Sequence, residues 1–273
     1  KEGVQRPHGA LVRDVVKCVG APVAFVIAET LEQAKDAAEL IEIDYEAMPA
    51  VASTAAARGD EAPLVWEGTE DNVSFTYKIG NAPGVEDALN SASHVIKATI
   101  TNNRVNTNAM ETRTSIGLYD QGEQKYTLYG GNQGPNRVRE EIAHELLKVS
   151  EAKLQVIAPD VGGGFGMKGG AFGEDILVLW GAKATGRPVK WVGDRLESFM
   201  SDSHGRDVIA DCEMAFDDDG VKTIYYSLDG SDFIPVATDF LSYDALNKMI
   251  EAINDINMYY DHMCDVTKII PTM

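Results

Sequence analysis

Basic residues are scarce in this 273-residue chain: 24 Lys and Arg stand against 43 Asp and Glu, for a formal net charge of -19 at pH 7. Such a surface repels polyanions, which argues against nucleic-acid binding and against docking on an anionic membrane, since both use basic patches. Cysteine is rarer still. Cys18, Cys212 and Cys264 are odd in number and widely spaced, so no disulfide framework or CxxC metal site follows, and a reducing, cytoplasmic setting fits. No apolar run reaches the roughly 20 residues that cross a bilayer. The opening KEGVQRPHG lacks both the apolar core of a signal peptide and an initiator Met, as expected of a piece of a longer chain. The five histidines are scattered, without ligand spacing. What is present, 44% hydrophobic and 25% charged residues, is the composition of a globular protein with one large or two ordinary domains.

Hydrophobic periodicity gives an alternation of strands and helices. PVAFVIA (22–28) reads as a buried strand, with Cys18 buried near its start. TLEQAKDAAELI reads as a helix, opened by a capping box of Thr30 and Gln33 and striped by Leu31, Ala34, Ala38 and Ile41. IEIDYEAMP alternates as a second strand, and the small, polar stretch over 52–63 reads as a linker. From Leu64 onward, strands are expected in SHVIKATITNN, KYTLYGG, KLQVIAP and PVKWV. GPNRVREEIAHELLKV predicts a helix with Pro135 in its first turn and Val138, Ile142 and Leu146 on one face. FGEDILVLWGAKATG predicts another, ended by Gly186. VIADCEMAFDDDGVKTIYYSLDG is a hairpin whose DDDG reads as a solvated turn, because the bidentate Glu of a calcium loop is absent. The stretch 244–260 has the spacing of a last amphipathic helix. The alternation defines an α/β fold.

The chemistry concentrates in DVGGGFGMKGG, residues 160–170, six of which are glycine. Glycine at that density marks a main chain that must take left-handed angles or approach something closely. A Walker A phosphate loop is excluded, since Lys168 follows Met167 and precedes Gly169 where that motif requires Gly-Lys-Ser/Thr. Gly164, Gly166 and Gly169 do satisfy the dinucleotide fingerprint G-x-G-x-x-G, with Asp194 as the distant acid. The third glycine, however, precedes the helix instead of lying inside it, and Asp194 falls two residues past the next strand.

VGGGFGMK resembles the glycine loop of the molybdenum hydroxylases, the family of xanthine dehydrogenase, aldehyde oxidase and carbon monoxide dehydrogenase large subunits. The likeness extends beyond the loop. VKCVGAPVAFVIAETLEQAKDAAELIEIDYEAMPAV is similar to the end of that family's α/β hammerhead domain. NNRVNTNAMETRTSIGLYD resembles the opening of its molybdenum domain, and GNQGPNRVREEIA the turn that bears its glutamine. TGRPVKWVGDRLESF and SHGRDVIADCEMAFDDDG continue in the family's order. The resemblance implies a partial hammerhead over 1–55, a linker over 56–63 and the N-terminal half of a molybdopterin-binding domain over 64–230. Residues 231–273 depart from the pattern as a helical tail.

As the resemblance implies, the cofactor is molybdopterin, with the cytosine dinucleotide form left open, and no protein residue ligates the metal. Gly163, Gly164, Phe165 and Gly166 would run their main chain against it, and Gln133 would place its amide at the apical oxygen of molybdenum. The reaction implied is oxidative hydroxylation of a small molecule, with electrons leaving through iron–sulfur and flavin subunits or domains. The substrate-facing loop and the general-base glutamate are expected in sequence beyond this chain, so that the chain alone would be inactive. Where purine-oxidising relatives place a glutamate after the loop lysine, this chain has Gly169, which favours aldehydes or heterocycles other than xanthine. A non-catalytic remnant or interaction module of the same fold and a dinucleotide-binding protein are the alternatives, and self-association is open.

Overall fold

The computed structural model describes residues 9–217, 220–227 and 234–235. The amphipathic helix expected at 244–260, the rest of the divergent tail and Cys264 lie outside the described residues. The chain divides into two compact units, one built from residues 4–72 and 104–206, the other from 1–3, 73–103 and 207–273.

The first unit opens with α1 (Leu31–Glu39), whose N-terminus carries the expected capping box: Thr30 Oγ1 accepts from the Gln33 N–H and Gln33 Oε1 from the Thr30 N–H, each at 3.2 Å. The strands expected on either side of it do not form. A strand is stabilised by the ladder it shares with a neighbour, and among the described residues neither segment has one. Phe25 and Ile27 instead lie as single side chains against the core, and Leu31, Ile41, Ile43 and Tyr45 stay exposed. Cys18, expected to be buried, is exposed. The linker contains one helical turn, α2 (Thr54–Ala57), capped by Ser53.

The centre of this unit is a four-stranded sheet in the order β4-β3-β2-β5. β2 (Thr114–Asp120) and β3 (Lys125–Gly130) form an antiparallel hairpin, β5 (Val189–Val192) lies antiparallel to β2, and β4 (Leu154–Ile157) lies parallel to β3. α5 (Gly173–Thr185) packs on β2 so closely that a Cβ at Gly117 would strike the Val178 carbonyl. Gly186 ends α5 at φ 66°, in the left-handed region that glycine enters without strain. Leu128, Val138, Ile142, Leu154, Val178 and Leu179 fill the core between sheet and helices.

One helix changes type partway. α4 (Pro135–Glu140) continues as a π-helix over Glu141–Leu147. The wider turn shifts the phase by one residue, so Val138, Ile142 and Leu147 face the core while Leu146, expected there, is 46% exposed. Asp194, weighed above as a ribose-binding acid, caps α6 (Arg195–Ser201) by accepting the Glu197 N–H at 2.7 Å. With β3/β4 as the sole parallel pair in this sheet, the doubly wound parallel sheet of a dinucleotide-binding fold is excluded.

The second unit holds α3 (Ala82–Ser91), capped by Asn81, and an antiparallel sheet in the order β1-β6-β7-β8. β1 (His94–Asn102) pairs with β6 (Val208–Asp217) along its whole length, and β6 turns into β7 (Gly220–Ser227) with Asp217 opposite Gly220. That is the expected hairpin; β8 (Ile234–Pro235) borders it.

Candidate cofactor site

β4 ends at Ile157 and delivers the glycine loop to the edge of the central sheet. Three of its residues take left-handed angles: Gly163 at φ 101°, Phe165 at 50° and Gly166 at 90°. For Phe165 this conformation carries the steric cost of its Cβ, and its side chain is 78% exposed. The loop folds on itself through the Met167 N–H, which donates to the Gly164 carbonyl at 2.9 Å.

Gln133 sits against this loop. Its main-chain N–H donates to the Lys168 carbonyl at 2.9 Å and its Oε1 accepts the Gly166 N–H at 2.8 Å. Gly164 is buried directly beneath it, and a Cβ there would overlap the glutamine side chain. The structure therefore brings Gln133, Gly163, Gly164, Phe165 and Gly166 into one cluster. Gln133 Nε2 and the N–H groups of Gly163, Gly164 and Phe165 have no partner among the described residues. The Gly166 N–H, by contrast, is occupied by Gln133.

Three charged side chains that sequence reasoning did not nominate lie around this cluster, and one of them, Glu111, bonds the loop directly. Glu111 donates its N–H to the Gly162 carbonyl at 3.1 Å and accepts the Gly162 N–H on Oε2 at 2.9 Å. Burial raises the Glu111 carboxyl, but hydrogen bonds from Lys168 and Gly162 and the charge of Lys168 outweigh it, leaving the group below the ordinary carboxylate value. Glu141 accepts the Ala171 N–H at 2.8 Å and the Arg137 Nε at 2.7 Å. Burial raises this group also, and those two bonds bring it below its ordinary value. Arg113 is buried between Glu174 Oε1 at 2.6 Å and Asp202 Oδ1 at 2.8 Å, with its guanidinium 4.1 Å from the Phe172 ring centre. Burial pushes the Glu174 carboxyl up despite Arg113 beside it, and Asp175, bonded to Ser115, is raised by burial as well. The acid-Thr-Arg order of Glu111, Thr112 and Arg113 was the one local signal, and it carries no spacing that points at a loop some 50 residues away.

Consecutive main-chain N–H groups in alternating conformations form a concavity for an anionic or oxo ligand. With the Gln133 amide beside it, the loop has the form of such a backbone concavity. The chain belongs to the molybdopterin cofactor-binding domain family, whose model matches residues 65–227. The model of the aldehyde oxidase and xanthine dehydrogenase a/b hammerhead domain matches residues 2–49. The carbon monoxide dehydrogenase large chain of Afipia carboxidovorans is 34% identical, with 72% of this chain and 26% of the relative covered. The nicotine 6-hydroxylase large subunit of Paenarthrobacter nicotinovorans is 32% identical, with 77% and 25% covered. Among solved structures, CO dehydrogenase from Oligotropha carboxidovorans superposes with a TM-score of 0.72 at 32% identity, over 77% of this chain and 28% of that one. Quinoline 2-oxidoreductase from Pseudomonas putida 86 gives 0.70 at 32%, over 76% and 26%. The chain thus spans about a quarter of the length of these curated relatives.

The residues present fit the cofactor of this family. Nothing lies within 4 Å of a Cβ built on Gly166, the neighbouring N–H groups are unpaired, and the amide of Gln133 is exposed beside them. Among the described residues no helix is long and apolar enough to cross a membrane.

Proposed function

We propose that this chain is the cofactor-cradling part of a molybdenum hydroxylase large subunit that oxidatively hydroxylates a small molecule. The observation that carries the reading is the row of unpaired N–H groups at Gly163, Gly164 and Phe165, with the free Nε2 of Gln133 beside it. In this reading Gln133 Nε2 and the Phe165 N–H would hold the metal end of the cofactor. Gly163 and Gly164 approach the pterin, and Gly166 acts through Gln133, whose orientation its N–H fixes. Molybdenum held by the pterin would supply the redox centre for the hydroxylation. The chain's own part is to orient that group and keep bulk water from one side of it.

The finer assignments belong to the same reading. Residues 1–55 are the end of the hammerhead, 56–63 a linker, 64–230 the first half of the cofactor domain and 231–273 a divergent tail. The general base comes from the remainder of the large subunit, and electrons pass to iron–sulfur and flavin partners in the cytoplasm. Gly169 offers no carboxylate to a purine ring, which supports aldehydes or heterocycles other than xanthine as substrates. Both the cytosine dinucleotide form of the cofactor and pairing of two copies fit within it.

Elemental analysis of the parent assembly tests the core of the proposal. About one molybdenum per chain is expected, with Gln133→Ala folded, because one turn hydrogen bond contributes only ~1 kcal/mol, yet depleted of metal. Absence of molybdenum from the unsubstituted assembly would reduce the glycine loop to a structural relic.

A further inference from the structure

A loop with six glycines between 160 and 170 has little stiffness of its own, so its conformation must be imposed from outside. Lys168 shows where. Its side chain is 1% exposed, and its ammonium donates to Glu111 Oε2 at 2.8 Å, to the Glu111 carbonyl at 3.0 Å and to the Thr112 carbonyl at 3.5 Å. An ammonium has three protons, and all three are engaged on residues 111 and 112. Lys168 is therefore a buried support of the loop.

Glu111 in turn holds Gly162 by both its N–H and its carboxylate. A single residue thus ties down the loop at 162 and at 168 and cinches the span containing the left-handed Gly163, Phe165 and Gly166. Glu111 itself is rigidly mounted. On one side Arg195 donates to the Ala109 and Met110 carbonyls, each at 2.8 Å; on the other, Arg113 is anchored to Glu174, Ser201 and Asp202. We propose that Glu111, paired with the buried Lys168, is a positioning residue that fixes Gly163–Gly166 in the conformation presenting their N–H groups to the cofactor. This rests on the reading that those groups hold molybdopterin.

The test uses the parent assembly carrying Glu111→Gln, the charge-free pair Glu111→Gln with Lys168→Met, and Gln133→Ala. The paired variant guards against misfolding caused by a lone buried ammonium. Three quantities are read: molybdenum per chain, hydrogen exchange of the 162–168 amides, and the line shape of the electron paramagnetic resonance signal of the partly reduced metal. Both Glu111 variants are expected to lose molybdenum severalfold, to exchange loop amides at least tenfold faster and to shift the line shape in the fraction that remains loaded. Wild-type loading and exchange in the paired variant would overturn the proposal, as would metal loss with unchanged loop exchange and line shape, which would place the effect outside the loop. If Gln133→Ala depletes the metal while the Glu111 variants do not, the positioning role alone fails. If none of the three depletes it, the cofactor reading fails with it.

Discussion

Two substitutions test the site residue by residue. At Gly164 the missing Cβ makes room for the side chain that organises the loop. Gly164→Ala is expected to push Gln133 off the Gly166 N–H, destabilising the chain by about 1–3 kcal/mol as overpacking does, with faster hydrogen exchange at the Gly166 amide as the specific sign. Glu174 is a different case. Burial raises its pKa, so the native state binds a proton more tightly than the unfolded chain. The stability gained is full below the unfolded carboxyl pKa and is lost as pH rises through the raised one. Thermal melts across that window should therefore show wild type losing ground to Glu174→Gln as pH rises, the amide oxygen still accepting from Arg113. Glu111 and Glu141 carry depressed values and act in the opposite sense: their contribution is present above the unfolded pKa and disappears as pH falls through the folded one. At this scale the loop and Gln133 were legible in the sequence, through the glycine density and the resemblance. Glu111 and Arg113 were not, because each acts on partners 51–89 residues away, and one acid in a run of polar residues has no local periodicity to betray such a contact.

Among the elements, those whose signals are local and self-contained formed as expected. α1 has its capping box, α5 its acidic first turn and left-handed glycine cap, and β6 and β7 their antiparallel pairing. The two failures share a physical cause. PVAFVIA and IEIDYEAMP have the patterning of strands, but patterning supplies only a preference, and the ladder requires a neighbour that the described residues do not provide. The π-helical turn at 141–147 was hidden for another reason: a change of period inside a helix is set by what packs around it, and a single apolar run fits either phase. Tertiary contact also accounts for Gly117, the point where α5 meets the sheet. Gly117→Val should force α5 away from β2 and lower stability by about 3 kcal/mol or more, since rigid backbone blocks the added atoms; chemical denaturation would measure it. Gly186→Ala, at a position with nothing within 4 Å but a left-handed angle, should cost less, about 1–2 kcal/mol.

At the scale of the whole molecule, the site is one-sided among the described residues. Gln133 is exposed, Phe165 is 78% exposed and Met110, next to Glu111, is 90% exposed. A cofactor resting on this face would keep its other side in water, where hydrogen bonds from the loop compete with solvent and contribute little. The chain covers about a quarter of the relatives' length. This leads to an expectation that separates the chain from its parent. Expressed alone, the 273-residue chain should fold around the Leu128 and Val178 core and purify without molybdenum or oxidase activity, whereas the assembly containing the rest of the large subunit should carry the metal. Parallel elemental analysis of the two forms decides it. Stoichiometric molybdenum in the isolated chain would mean that the loop and Gln133 retain the cofactor unaided, and the second wall would then be needed for turnover and not for binding.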